Sequence, residues 1–161
     1  AAVSATLATR VNPIETEDCA AIAIRFANGA LATSSVTLGA AGDQTRLRLV
    51  FSGLTATSGE LPYAPAMGHW DFVARDPTRQ PEIDAILARP RGAKAGFVGY
   101  FAAIAAALAS SPGQQVTLMD GRRSIELVTA IYAAARGGKE VALPLTFGSD
   151  FYASWLPEQD R

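Results

Sequence analysis

Scarcity is the first property of this sequence: one cysteine and one histidine in 161 residues. Cys19 has no partner for an internal disulfide, so nothing in the chain calls for an oxidising compartment. With His69 alone there is no HExxH pair, no CxxC pair and no zinc cluster of the usual kind. No two glycines are spaced GxG, which removes the dinucleotide fingerprint; a Gly-Lys-Ser/Thr phosphate loop and a GxSxG nucleophile elbow are missing too. Neither sign of charge dominates. Fourteen basic residues against 15 acidic give a net charge of -1, with no broad positive field for nucleic acid and no basic amphipathic face for a membrane. No apolar run approaches the roughly 20 residues of a membrane span. A cytoplasmic protein with neither nucleic acid nor membrane as partner is expected, and the length suits a single domain over residues 1–161. The first residue is not Met and a strand pattern begins at Val3, so the expectation is a fragment of a longer protein.

The densest agreement of local signals lies between Asp120 and Pro144. Asp120 can cap a helix, and Ile125, Val128, Ile131, Ala134 and Ala135 then recur at three- and four-residue steps as one apolar stripe. Arg136 suits the negative end of the helix dipole, and Gly137-Gly138 supplies a residue able to take positive φ at the stop. Glu140 to Leu143 reads as a short strand ended by Pro144.

Upstream, Val3 to Arg10 alternates, with Val3, Ala5 and Leu7 opposite Ser4, Thr6 and Ala8. Cys19 to Phe26 alternates again, with Ile22, Ile24 and Phe26 on one face. Asn28-Gly29 predicts a type I′ hairpin turn into a return strand, Ala30 to Leu38, of small residues. Thr45 to Phe51, Leu54 to Thr57 and His69 to Arg75 predict further strands, the last with Trp70, Phe72 and Ala74 sharing a face. Gly59 to Gly68 is a loop and Glu82 to Ala88 a short helix. Phe97, Phe101, Ile104 and Leu108 fall at spacings of four, three and four, the core stripe of a further helix. Strands first, then helices, then a closing strand favour an α+β domain: an open, predominantly antiparallel sheet with helices on one face.

Few residues carry chemistry. His69 and Asp71 lie on the same side of a strand, a conceivable acid-base pair, but no nucleophile is identifiable beside them. Arg122-Arg123 at a helix start suggests an anion contact or a solvated face. Cys19, on an apolar run with no histidine near it in sequence, reads as a buried small hydrophobe rather than a nucleophile. Lys94 and Tyr100 flank and head the aromatic helix. These two and His69 are the substrate-facing residues we expect; the sequence offers no catalytic, cofactor-binding or metal-binding residue.

Laid end to end, the motifs resemble the C-terminal domain of the Gfo/Idh/MocA oxidoreductases, the glucose-fructose oxidoreductase and inositol dehydrogenase group. The resemblance is carried by Glu17-Asp18 before a strand, Arg25 to Leu31 at the hairpin, and Asp120 to Val128. It continues through Ala130-Ile131-Tyr132, Ala135-Arg136, Val141 to Leu145 and the closing Phe151 to Pro157. It implies a large open antiparallel sheet, helices on one face, part of a substrate pocket wall, and dimer or tetramer contacts across the other face. A flat Ala/Ser/Thr face agrees with such association. It also implies a preceding Rossmann domain that binds NAD or NADP, with no cofactor held by these residues. The family's catalytic lysine and Asp-x-x-x-His pair have no counterpart here, so no catalytic residue carries over.

The expected function is therefore the substrate-side and oligomerisation domain of an NAD(P)-dependent oxidoreductase acting on a sugar, polyol or related hydroxy compound, inactive alone. The alternative is a stand-alone binding or scaffold domain that uses its sheet face.

Overall fold

The structure, a computed structural model, describes residues 1–89, 96–109, 115–146, 148, 151 and 155. The chain forms two compact units. The first comprises residues 1–40 with 116–161, and the second, residues 41–115, is inserted between them in sequence. The antiparallel α+β class is borne out, with the strands divided into one sheet per unit.

In the first unit, β1 (Ala2–Ala8), β2 (Cys19–Arg25) and β3 (Leu31–Thr37) form an antiparallel meander, and β7 (Val141–Ala142) pairs with the free edge of β1. The register follows from the alternation in the sequence: Val3 faces Ile24 and Ala5 faces Ile22, so one face collects the branched residues. The β2–β3 turn differs from expectation. A type I′ turn needs positive φ at both central residues, yet only Gly29 is left-handed, at φ 86°. The Phe26 carbonyl accepts from the Gly29 amide at 3.0 Å and the Ala30 carbonyl from the Phe26 amide at 2.9 Å. This is a three-residue loop closed by a bulge glycine.

The long helix α3 (Leu118–Gly137) covers the branched face. Its cap is Thr117, three residues before the predicted start. The Thr117 hydroxyl accepts from the Asp120 amide at 3.2 Å while the Asp120 carboxylate accepts from the Thr117 amide at 2.9 Å, a reciprocal capping box. Asp120 is thus the third helical residue rather than the cap. The stop is as expected, with Gly138 left-handed at φ 59°. The buried stripe is rotated from the predicted one. Val3, Ala130 and Ala134 make the core, and Ile131 packs against it, whereas Ile125 and Val128 are exposed. The smallest side chains sit where helix and sheet come closest, a placement that hydrophobicity alone does not rank.

In the second unit, β4 (Arg48–Val50), β5 (Leu54–Ser58) and β6 (Trp70–Ala74) form an antiparallel sheet in that order. Ala56, Ser58 and Ala74 are buried, and Trp70 and Phe72 stack at 6.2 Å on the face they share with Ala74. The helix α1 (Gln80–Leu87) is joined to the β6 edge by one side chain: the Gln80 amide accepts from the Ala74 amide at 2.8 Å and donates to the Phe72 carbonyl at 3.0 Å. The helix α2 (Gly96–Leu108) forms where predicted, but its stripe is not core. Phe97 is 80% and Leu108 83% exposed, Phe101 is exposed too, and no described residue of the helix is buried.

Candidate functional site

The residues singled out from sequence fall on both units. His69 Nε2 lies 3.0 Å from Asp71 Oδ1, so the predicted pair forms, on the open surface of the second unit with both side chains largely exposed. Tyr100 is exposed on α2, its ring 5.7 Å from that of Phe101. Lys94 lies outside the described residues. Arg122 and Arg123 are exposed at the start of α3, with Arg123 3.7 Å from Asp120. Cys19 is half-buried rather than buried. It points to the face opposite Ile22 and Ile24, with its Sγ 3.5 Å from Thr37 Oγ1, because odd positions of β2 face away from α3.

Two arrangements in the first unit went unforeseen. Asp18 is 2% exposed, and its carboxylate accepts from the backbone amides of Arg10, Val11 and Asn12 at 2.7, 2.8 and 2.7 Å and from the Asn12 side chain at 3.2 Å. The amide hydrogen bonds, that of Asn12 first, hold the carboxyl far below its usual range against the opposing pull of desolvation. Asp18 therefore anchors the loop between β1 and β2. The sequence signal was present, Glu17-Asp18 before a strand, but without a partner in view.

The second arrangement surrounds the C-terminal half of α3. Tyr132 stacks on Trp155 with ring centres 5.4 Å apart, Trp155 Nε1 donates to Thr129 Oγ1 at 3.1 Å, and the Arg136 guanidinium lies 5.4 Å from the Tyr132 ring and 5.9 Å from that of Phe151. The Tyr132 hydroxyl donates to Glu17 Oε2 at 2.9 Å, and burial first, then this carboxylate, raise its pKa above the ordinary value. Beside this cluster a groove of about 680 Å³ is lined by Arg136, Lys139, Thr146 and Phe151 among others. Cations and an aromatic edge suit a polar, oxygen-rich ligand.

The face of the first sheet turned away from α3 is of another kind. Ser4, Ala23 and Thr33 form one cross-strand row and Thr6, Ala21 and Ser35 the next. Six small side chains make a shallow surface of low relief, with Arg25 and Glu140 ion-paired at its margin. No helix among the described residues is long and apolar enough to cross a membrane.

The described residues offer no Rossmann-type cradle for a dinucleotide. The start of α3 is occupied by its own Thr117/Asp120 capping box, and a carboxylate there opposes a pyrophosphate. The strand pairings are all antiparallel, so the described residues lack the βαβ unit on which such cofactors sit.

The architecture is shared with solved oxidoreductases. The WlbA dehydrogenase from Chromobacterium violaceum, in complex with NADH and UDP-GlcNAcA, superposes with a TM-score of 0.68 at 21% identity, over 91% of this chain and 41% of that one. The WlbA dehydrogenase from Bordetella pertussis, also with NADH and UDP-GlcNAcA, gives 0.66 at 25% identity over 90% and 40%. The aldose-aldose oxidoreductase from Caulobacter crescentus, complexed with glycerol, gives 0.64 at 21% over 88% and 41%. This chain thus spans about two-fifths of the length of these proteins. No curated protein matches it in sequence. Residues 1–57 match the GFO/IDH/MocA C-terminal domain. The resemblance read from the sequence is borne out over residues 1–57, and the chain shares its fold with these solved oxidoreductases.

Proposed function

We propose that this chain is the substrate-side and oligomerisation domain of a cytoplasmic NAD(P)-dependent oxidoreductase acting on a sugar, polyol or related hydroxy compound. The observation that carries this reading is the match of residues 1–57 to the GFO/IDH/MocA C-terminal domain, together with a fold found in dehydrogenases whose solved complexes hold NADH. The nicotinamide cofactor belongs to a separate Rossmann domain, and the present residues are inactive alone. Their part is to shape one wall of the substrate pocket, with Tyr100 and His69 facing it, and to associate with a second copy through the Ser/Ala/Thr rows of the first sheet. Small side chains let two such faces approach with little loss of side-chain entropy.

Sedimentation equilibrium of the purified chain followed by titration with NADH tests the reading. A dimer or tetramer that binds NADH no more tightly than ADP is the expected result, and Ala23→Arg, which places a long charged side chain in the middle of the flat face, should return it to monomer. A monomer that binds NADH in clear preference to ADP would overturn the proposal.

A further inference from the structure

We propose that the open face of the second unit's sheet binds a small phosphate-bearing molecule. The strand register collects Arg48 and Val50 of β4, Thr55 and Thr57 of β5, and Val73 of β6 on the face opposite buried Ala56 and Ala74. Arg46 and Arg75 extend the same alternation beyond the ends of β4 and β6. The groove enclosed there is about 570 Å³, within the usual range for small ligands.

Its lining contains three guanidinium groups and no carboxylate, in a chain whose net charge is -1. Two acids lie nearby. Asp71, on the same face, is 3.0 Å from His69, which offsets its charge only when protonated. Glu60 lies 3.9 Å from Arg46, which leaves Arg48 and Arg75 as the cations the proposal uses. Among the described residues, no ion pair is formed by Arg48 or Arg75. A guanidinium offers two parallel donors that match phosphate oxygens, and the Thr55 and Thr57 hydroxyls add donors between the cations. Val50 and Val73 supply apolar surface for the organic part of the ligand. Arg75, opposite Gly53, is two strands across and four residues along from Arg48, roughly 16 Å between Cα atoms from ordinary strand spacing and rise. Two arginine side chains reaching inward shorten that gap to the span of a diphosphate with an attached sugar or base. The inference does not rest on the oxidoreductase reading.

Calorimetric titration of the whole chain with inorganic pyrophosphate and with ADP at low salt tests it. Saturable binding of at least one probe is expected, weakened tenfold or more by Arg48→Gln and by Arg75→Gln. Arg79→Gln, which removes an exposed arginine already paired with Glu82 at 2.9 Å, should leave it unchanged. Arg48→Lys and Arg75→Lys keep the charge and lose the fork, so they give the same reading if a glutamine variant fails to fold. Equal affinity for the two probes assigns binding to the phosphates, and tighter ADP binding adds the apolar floor. Absence of saturable binding for both probes, or an equal loss in Arg79→Gln, would overturn the proposal.

Discussion

The Tyr132 hydroxyl donates to the Glu17 carboxylate at 2.9 Å, joining α3 to the β1–β2 loop across 115 positions of sequence. Partial burial first, and then the Glu17 carboxylate, disfavour ionisation of the phenol, against the opposing pull of the Arg136 cation.

Tyr132→Phe removes the hydrogen bond and leaves the stacking, at an expected cost of about 1 kcal/mol in chemical denaturation. The pH dependence has a definite sign. The folded pKa lies above the ordinary 10.0, so the contribution is complete below that value and is lost as pH rises through the folded one. Alkaline unfolding of the wild type should therefore steepen above that range, and Tyr132→Phe should lose the part due to this residue.

Asp18 should dominate the acid limb. Its folded pKa is depressed, so its contribution is complete above the unfolded carboxylate range and is lost as pH falls below it toward the folded value. Asp18→Ala leaves three inward-pointing amides unpaired and should lower Tm at neutral pH by more than Tyr132→Phe does. Asp18→Asn, which keeps one acceptor oxygen, should melt between wild type and Asp18→Ala. Thermal melts across the acid range check both statements, and an Asp18→Ala melt equal to wild type would contradict them.

Close approach at the core makes Ala130 intolerant of size. Ala130→Leu should cost about 1–3 kcal/mol through overpacking against Val3. Val3→Ala should cost a similar amount, about 2 kcal/mol, by opening a void. Denaturant midpoints read both.

Thr117→Ala opens the capping box and should cost about 1 kcal/mol. Hydrogen exchange should accelerate at the first-turn amides of α3 while the amides around Ala134 stay protected, which separates a local cap from a global loss.

The parts of the fold legible in sequence were those written in alternation and in stop signals. Val3 opposite Ser4, Trp70 with Phe72 and Ala74, and Gly138 at the helix end all lie as read. Misreadings arose where distance between elements decides. Hydrophobic weight favoured Ile125 over Ala130, but the helix buries the residue that lets it come near the sheet. The α2 stripe read as core because apolar periodicity carries no statement of what lies opposite. Asp18 and the Tyr132–Glu17 contact were out of reach for a simpler reason: each joins residues whose proximity is a product of the fold. The Arg48, Thr57 and Arg75 face likewise exists only once β4, β5 and β6 are paired.

The division of the first unit by an insertion bears on biosynthesis. Val3 leaves the ribosome ahead of the whole second unit, and Ala130 and Ala134, which shield it, follow only after that unit. At about 5–20 residues per second, the greasy side of the nascent meander waits on the order of ten seconds for its cover. A holdase chaperone, or the rapid folding of the intervening segment, would then govern yield more than the final stability of the protein.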